Sequence, residues 1–302
     1  MTTLWRQHIG IVALALTAIA APGCHTAPAP TPDTSPAISD AAPDLDAQLA
    51  KAAVANEPVL VLVTEPGHGD PISAAKAVED AALGVAETGM FGVAVIHLDL
   101  SVSRNRAAAA RYHVTETPLL LGLTPHAVIV ARSQGAISTD LVSKQVIDLL
   151  HHSTEIDATL AKLEVAITAN PGDSAAQLAL ADFLRGHQNQ REAIPHLAAV
   201  AHDASAEATL RVRAWVDLAR AHRWVAEPEK GRHEANDLIA TLGPTVPEAR
   251  AGGSLMLGLQ DAAGKRFSLA RQEFQAAIDA APASAYADEA RAAIAALPKE
   301  GA

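Results

Sequence analysis

Few residues in this chain have the type and spacing to do chemistry. Cys24 is the only cysteine among 302 residues, which excludes an intramolecular disulfide, a cysteine-based zinc cluster and a two-cysteine redox couple. His68-Gly69-Asp70-Pro71 sets an imidazole and a carboxylate two residues apart, a pairing that could serve a metal or an acid–base step. It also reads as a polar turn in which Asp70 caps a helix and Pro71 takes its first position. His151 and His152 are adjacent in a helical stretch, where neighbours point in different directions, so they do not make a ligand pair. The arginines stand out more. Arg213, Arg220 and Arg223 lie seven and three residues apart, and at about 3.6 residues per turn they stay near one helix face. Trp224 follows them, and Asp182 and Arg185 hold comparable places earlier in the chain. A guanidinium suits bidentate capture of a carboxylate. Asp182, Arg185, Arg213, Arg220, Arg223 and Trp224, with Leu255 and Leu259 further on, are therefore the candidate partner-binding groove. The alternative is a solvated face whose arginines pair with nearby Glu and Asp.

The elements that must position these residues fall into two kinds. Residues 44–56 have helical apolar spacing. Pro58 then opens a β-branched run at 59–63, suited to a strand buried on both faces. A turn cluster at 65–71 leads into a helix at 72–88, a second strand at 91–100 and an alanine-rich helix at 102–111. Strands at 119–123 and 127–131 flank a turn at 124–126, and an amphipathic helix at 139–150 closes the unit. This is an α/β pattern with helices on both faces of a sheet.

One stretch of it resembles the thioredoxin family. Leu98-Asp99-Leu100 followed by Arg111-Tyr112-His113-Val114-Thr115-Glu116-Thr117-Pro118-Leu119-Leu120-Leu121 is similar to that family's Y-x-V-x-x-x-P-T-L segment, and Gly135-Ala136-Ile137-Ser138 to its G-A-x-S turn. The likeness covers about residues 44–152. It implies a cis bond before Pro118 as a structural feature. In the register of the family's Cys-x-x-Cys stands His68-Gly69-Asp70-Pro71. Without a thiolate there, thiol–disulfide exchange cannot occur, and a fold kept without its thiols would be a rigid binding platform.

Beyond residue 153 the text becomes helix, short turn, helix. At an offset of 38 and then 39, one set of positions recurs: Leu180-Ala181, Leu218-Ala219 and Leu257-Gly258; Ala193, Gly231 and Ala270; Leu197, Ala235 and Phe274; Val200, Leu238 and Ala277. This spacing resembles the tetratricopeptide pattern, in which small residues let paired helices approach and large ones fill the seam. Trp215 takes the leading aromatic place and is expected in the core, and Pro282 the closing proline. A half-repeat helix is expected at 156–169, and residues 285–297 as a capping helix. The resemblance implies a groove, formed by the first helix of each pair, that binds peptide or protein segments.

The N-terminus reads as an address. Arg6 precedes a thirteen-residue apolar run at 9–21, short of the roughly 20 residues a membrane span needs and fitting a secretory signal. Ala21-Pro22-Gly23-Cys24 resembles a bacterial lipobox, which makes Cys24 the lipid attachment site; the alternative is an ordinary signal cut near Ala21. Residues 25–43 are rich in Pro, Ala, Ser and Thr and read as a tether. The expected layout is a signal peptide at 1–23, a tether at 24–43, a thioredoxin-like α/β domain at 44–152 and all-α repeats at 153–302. The apolar share of 49% is enough for packed cores, but aromatics are only 3%, so these cores must come from many close helix contacts. A formal charge of −11 argues against a nonspecific nucleic-acid binder.

The expected function is a non-enzymatic interaction module of the bacterial envelope, a scaffold or client holdase. It would sit on a membrane through its lipid, by preference the outer membrane facing the periplasm, or be soluble in the periplasm. No cofactor, metal or nucleic acid is expected, and the partners are protein segments in the groove. The alternatives are an enzyme of the thiol-disulfide oxidoreductase family, disfavoured for want of a thiol, and a purely structural subunit of an envelope complex.

Overall fold

The computed structural model describes residues 44–87 and 92–298. Cys24, the signal and the tether lie outside the described residues. The described residues belong to one compact unit, a small α/β part followed by helices.

The chain enters through α1, Leu45–Ala55. Asp44 caps it by accepting from the Asp46 N–H at 3.2 Å, and Asn56 ends it in the left-handed region. Leu45, Leu49 and Ala52 recur at helical spacing and are its buried face. The rest of this part is β1 Val59–Thr64, α2 Pro71–Glu87, β2 Ala94–Asp99, α3 Ser103–Ala110, β3 Leu119–Leu123 and β4 Ile129–Gln134. The strands form one mixed sheet in the order β2-β1-β3-β4, with β1 and β2 parallel and the other pairs antiparallel. β1 is central and buried throughout, as its unbroken apolar run requires. Its side chains alternate between two cores. Val59, Val61 and Val63 pack with Leu45 and Leu49 of α1 on one face. Leu60 and Leu62 pack on the other with Ala74 and Val78 of α2 and with Val142, Val146 and Leu149 of the next helix. Two-residue alternation across a sheet covered on both faces produces this split.

Several expected boundaries move. The strand expected at 91–100 is Ala94–Asp99. The strand expected at 127–131 is Ile129–Gln134. Ala127 has φ of 62° and sits in the turn, where its N–H donates to the Thr124 carbonyl at 2.9 Å. The helix expected to stop at 150 instead runs as α4 from Thr139 to Ala169, 31 residues, about 46 Å at 1.5 Å per residue. The residues between the two expected helices, His151-His152-Ser153-Thr154-Glu155, contain neither Gly nor Pro to end it. The border expected at 152/153 thus falls inside one continuous helix.

Seven further helices follow: α5 Ser174–Gly186, α6 Gln190–Ala201, α7 Ala208–Trp224, α8 Pro228–Thr241, α9 Pro247–Ala263, α10 Phe267–Ala280 and α11 Ala285–Ala296. Short loops join them, so each packs on the next, and α5, α7, α9 and α11 also meet as a row. The recurring apolar positions make the core: Leu180, Leu197, Val200, Leu218, Ala235, Leu238, Phe274 and Ala277 are all buried. At Gly258 a Cβ would stand 2.6 Å from the Phe274 ring, so only glycine lets α9 and α10 close to this distance. Trp215 is buried, and its indole N–H donates to Glu234 at 3.1 Å.

The α/β and helical parts share their packing. Val128, in the turn before β4, belongs to the same buried cluster as Leu180, Leu197 and Leu218. Asn189, between α5 and α6, meets β4 at its first residue, Ile129, and the turn before it. Its Oδ1 accepts from the Ile129 N–H at 2.9 Å and its Nδ2 donates to the Ala127 carbonyl at 3.0 Å. His187 Nδ1 donates to the Ile129 carbonyl at 3.0 Å.

Candidate functional site

The arginine-bearing face is built on α7. Arg213, Asp217 and Arg220 recur at helical spacing along it, opposite Asp182 and Arg185 of α5 and Glu289 of α11. The centre is Asp217, whose carboxylate is buried. Arg185 Nη1 lies 2.7 Å from its Oδ2, Arg213 Nε 3.8 Å from the same oxygen, and Arg220 Nη1 3.9 Å from Oδ1. Arg213 also pairs with Asp182 and Arg220 with Glu289, while Arg185 is 3.6 Å from Asp182. Burial pushes the Asp217 carboxyl above its ordinary range, and the three guanidinium groups only partly offset this. Arg213 and Arg220 are thus engaged within the chain. Of the two readings of this face, mutual pairing describes most of it.

A cleft of about 430 Å³ opens at one end of the network, lined by His113, Arg185, Gln190, Arg220, Arg223, Trp224, Leu259 and Glu289. Four expected groove residues meet there: Arg185, Arg220, Arg223 and Trp224. Asp182 and Arg213 lie outside its lining and serve the network instead. Leu259 lines the cleft, but Leu255 is fully buried against Phe274 and belongs to the core. Arg223 is exposed and, among the described residues, makes no ion pair. His113 of the α/β part stacks on Trp224 with centroids 4.5 Å apart, and its Nδ1 donates to the Trp224 carbonyl at 2.7 Å. Arg132 fixes that corner by donating to the carbonyls of Tyr112 and His113 at 2.6 and 2.7 Å.

Sequence reasoning missed Asp217 and His113. Asp217 had a signal, since an acid four residues after Arg213 and three before Arg220 is the spacing of helical ion pairs. His113 had none, for it meets Trp224 across 111 residues of chain.

At the other candidate position, the Thr117–Pro118 peptide is cis. Gly69, with φ of 62°, packs so close that a Cβ would lie 2.5 Å from Pro118 Cδ. Asp70 accepts from the Ser73 N–H at 3.0 Å at the start of α2, and bonding from the Ser73 hydroxyl, then from this N–H, holds its carboxyl below the usual range. His68 is exposed, 3.6 Å from Glu65. Among the described residues no group of three or more His, Cys, Asp or Glu is placed to hold a metal ion, and no described helix is long and apolar enough to cross a membrane. No protein-family model matches the chain, and no curated protein matches it.

Proposed function

We propose that the chain is a protein–protein interaction module of the bacterial envelope, a thioredoxin-like platform without its thiols joined to tetratricopeptide-like repeats, working without catalysis or cofactor. In this reading Cys24 carries the lipid that holds it to a membrane, and the module acts as a scaffold or client holdase. Support for the layout comes from the order of sheet and helix pairs, the buried recurring positions and the packing at Pro118. Support for binding rests on one observation. In the cleft, Arg223 offers a guanidinium with no ion pair among the described residues, beside the half-exposed Trp224 and Leu259. A charged donor next to an aromatic wall is a mixture that interfaces favour, and the docking group it suits is a carboxylate on a partner segment.

Affinity purification from membranes with wild type and Arg223→Glu tests this. The expected result is loss of the partner with an unchanged far-UV spectrum and melting temperature, because an exposed unpaired charge adds little to stability. Equal recovery by both proteins would remove the cleft as the binding place. A single stoichiometric partner identifies a scaffold, and a broad mixture a holdase.

A further inference from the structure

A second cavity, of about 210 Å³, lies where the end of α1, the entry to β1 and the β3–β4 turn meet the middle of α4. It shares no lining residue with the Arg223 cleft. Pro58, Pro125 and Leu150 give it apolar walls, and Ser153, Thr154 and Asp157 of α4 give it a polar side. Ser153 and Asp157 are four residues apart, which makes them neighbours on one helix face.

Asp157 lines this cavity with most of its accepting capacity unused. Its side chain is 13% exposed, and His126 Nδ1 lies 3.0 Å from its Oδ2. Its Oδ1 is buried and has no hydrogen-bond partner. A carboxylate offers about four lone-pair sites, and native proteins leave few buried polar atoms unmet. Among the described residues the other such atoms belong to Gln145, Arg185 and Gln260, so Asp157 is the one that carries negative charge. Elsewhere the chain meets its buried acids with arginine: Asp217 with Arg185, and Asp261 with Arg232 and Arg266. No lysine or arginine lines the cavity at Asp157. Ser153 is 5% exposed, and its hydroxyl makes no hydrogen bond among the described residues.

We propose that this cavity binds a primary ammonium carried on a short alkyl stem. The head supplies the cation that the lining lacks. Its three N–H groups suit the spare capacity of Asp157 and the hydroxyls of Ser153 and Thr154, and its stem meets Pro58, Pro125 and Leu150. The size agrees. The cavity is smaller than the roughly 300–1,000 Å³ of pockets for drug-sized ligands, yet several times the share of about 30 Å³ that one water takes. Calcium fits poorly, since it takes about 6–8 oxygens and Asp157 is the one carboxylate in the lining.

Titration of the full chain carrying Cys24→Ser with butylamine, followed by calorimetry and amide chemical shifts, tests this. At about pH 8 the amine is charged. Saturable binding below about 50 mM is expected for so small a ligand, with shifts centred on residues 153–157 and the turn at Pro125. Asp157→Asn keeps the size and an acceptor for His126 and should weaken binding about 10- to 100-fold; Ser153→Ala should weaken it about 2- to 10-fold. Tetramethylammonium, a cation without N–H, and butanol, a stem without charge, should not compete. Nα-acetyl-lysine amide carries the same head and stem on a peptide backbone. Its competition identifies a lysine side chain of a polypeptide as the source, and its failure where butylamine binds identifies a free small amine. Absence of saturable butylamine binding overturns the proposal, as does equal binding of tetramethylammonium. So does unchanged affinity in folded Asp157→Asn, or in Ser153→Ala if the Asp157 variant does not fold.

Discussion

Asp217 and Arg185 form a close pair, 2.7 Å apart, yet removing one or the other should have unequal effects. The aspartate side chain is 9% exposed, while those of Arg185, Arg220 and Arg213 are 22%, 34% and 50% exposed. The anion therefore carries most of the desolvation cost, as the upward displacement of its carboxyl indicates. Asp217→Asn removes that buried charge, keeps an acceptor for Arg185 and leaves cations that can turn to water; the expected cost is under about 1 kcal/mol. Arg185→Gln strands the carboxylate with Arg213 and Arg220 near 4 Å. Deleting one partner of a fully buried pair costs about 3–5 kcal/mol, and the two remaining cations should reduce this to about 2–3 kcal/mol. The sign with pH follows from the same displacement. Above the ordinary value of 3.8 and up to its raised folded value, the folded chain holds more proton than the unfolded one. Asp217's contribution therefore weakens as pH rises through that window. Urea melts of wild type and both variants at about pH 7 and about pH 4 read this. Wild type should gain on Asp217→Asn as the pH falls. If Asp217→Asn proves the costlier change at neutral pH, attraction rather than burial governs the network and the reasoning fails.

Asn189→Ala should leave the Ile129 N–H and the Ala127 carbonyl without partners where the helices cover β4, costing about 1–3 kcal/mol, measured by denaturant melts. Exchange of the Ile129 amide should accelerate more than that of amides in β1, and uniform acceleration would show that Asn189 does not act locally. Cys24→Ser should abolish labelled palmitate incorporation and hold the chain in its precursor form. Equal labelling of the two proteins would show that Cys24 is not the lipid attachment site.

Legibility followed the range of the interactions. The recurring Leu, Ala and Phe positions of the helical part were visible because helix packing repeats a local pattern, and those positions are the buried ones. The central strand was legible for the same reason, as five apolar residues from 59 to 63 leave a strand no solvent face. What escaped was set by contacts distant in sequence. Ala127 and Val128 look like strand residues, but one turns in the left-handed region and the other feeds the helical core. The continuity of α4 depends on the absence of a breaker, a weaker sign than a cap. The pairing of Arg220 with Glu289 spans 69 residues, and nothing local to either residue announces it.

These long-range contacts bear on how the cleft would work. Its walls come from the loop before β3, from α5–α6, and from α7, α9 and α11. Were the two parts hinged, His113 and Trp224 would separate and the cleft would have to form at the moment of binding. Instead α4 crosses the expected border without a break, Val128 sits in the helical core, and Asn189 and His187 hold Ile129 of β4 and the turn before it by three hydrogen bonds. The stack of His113 on Trp224 is one more tie in an interface already fixed by others. A binding place built this way spends little of its interaction energy on ordering itself. It follows that Arg223→Glu should act on partner dissociation rather than on the shape of the cleft, whereas Asn189→Ala, whose side chain bonds only Ile129 and Ala127, should weaken the same partner by loosening the wall that His113 provides. If Asn189→Ala lowers stability but leaves partner recovery intact, the cleft does not depend on the junction and the repeats bind alone.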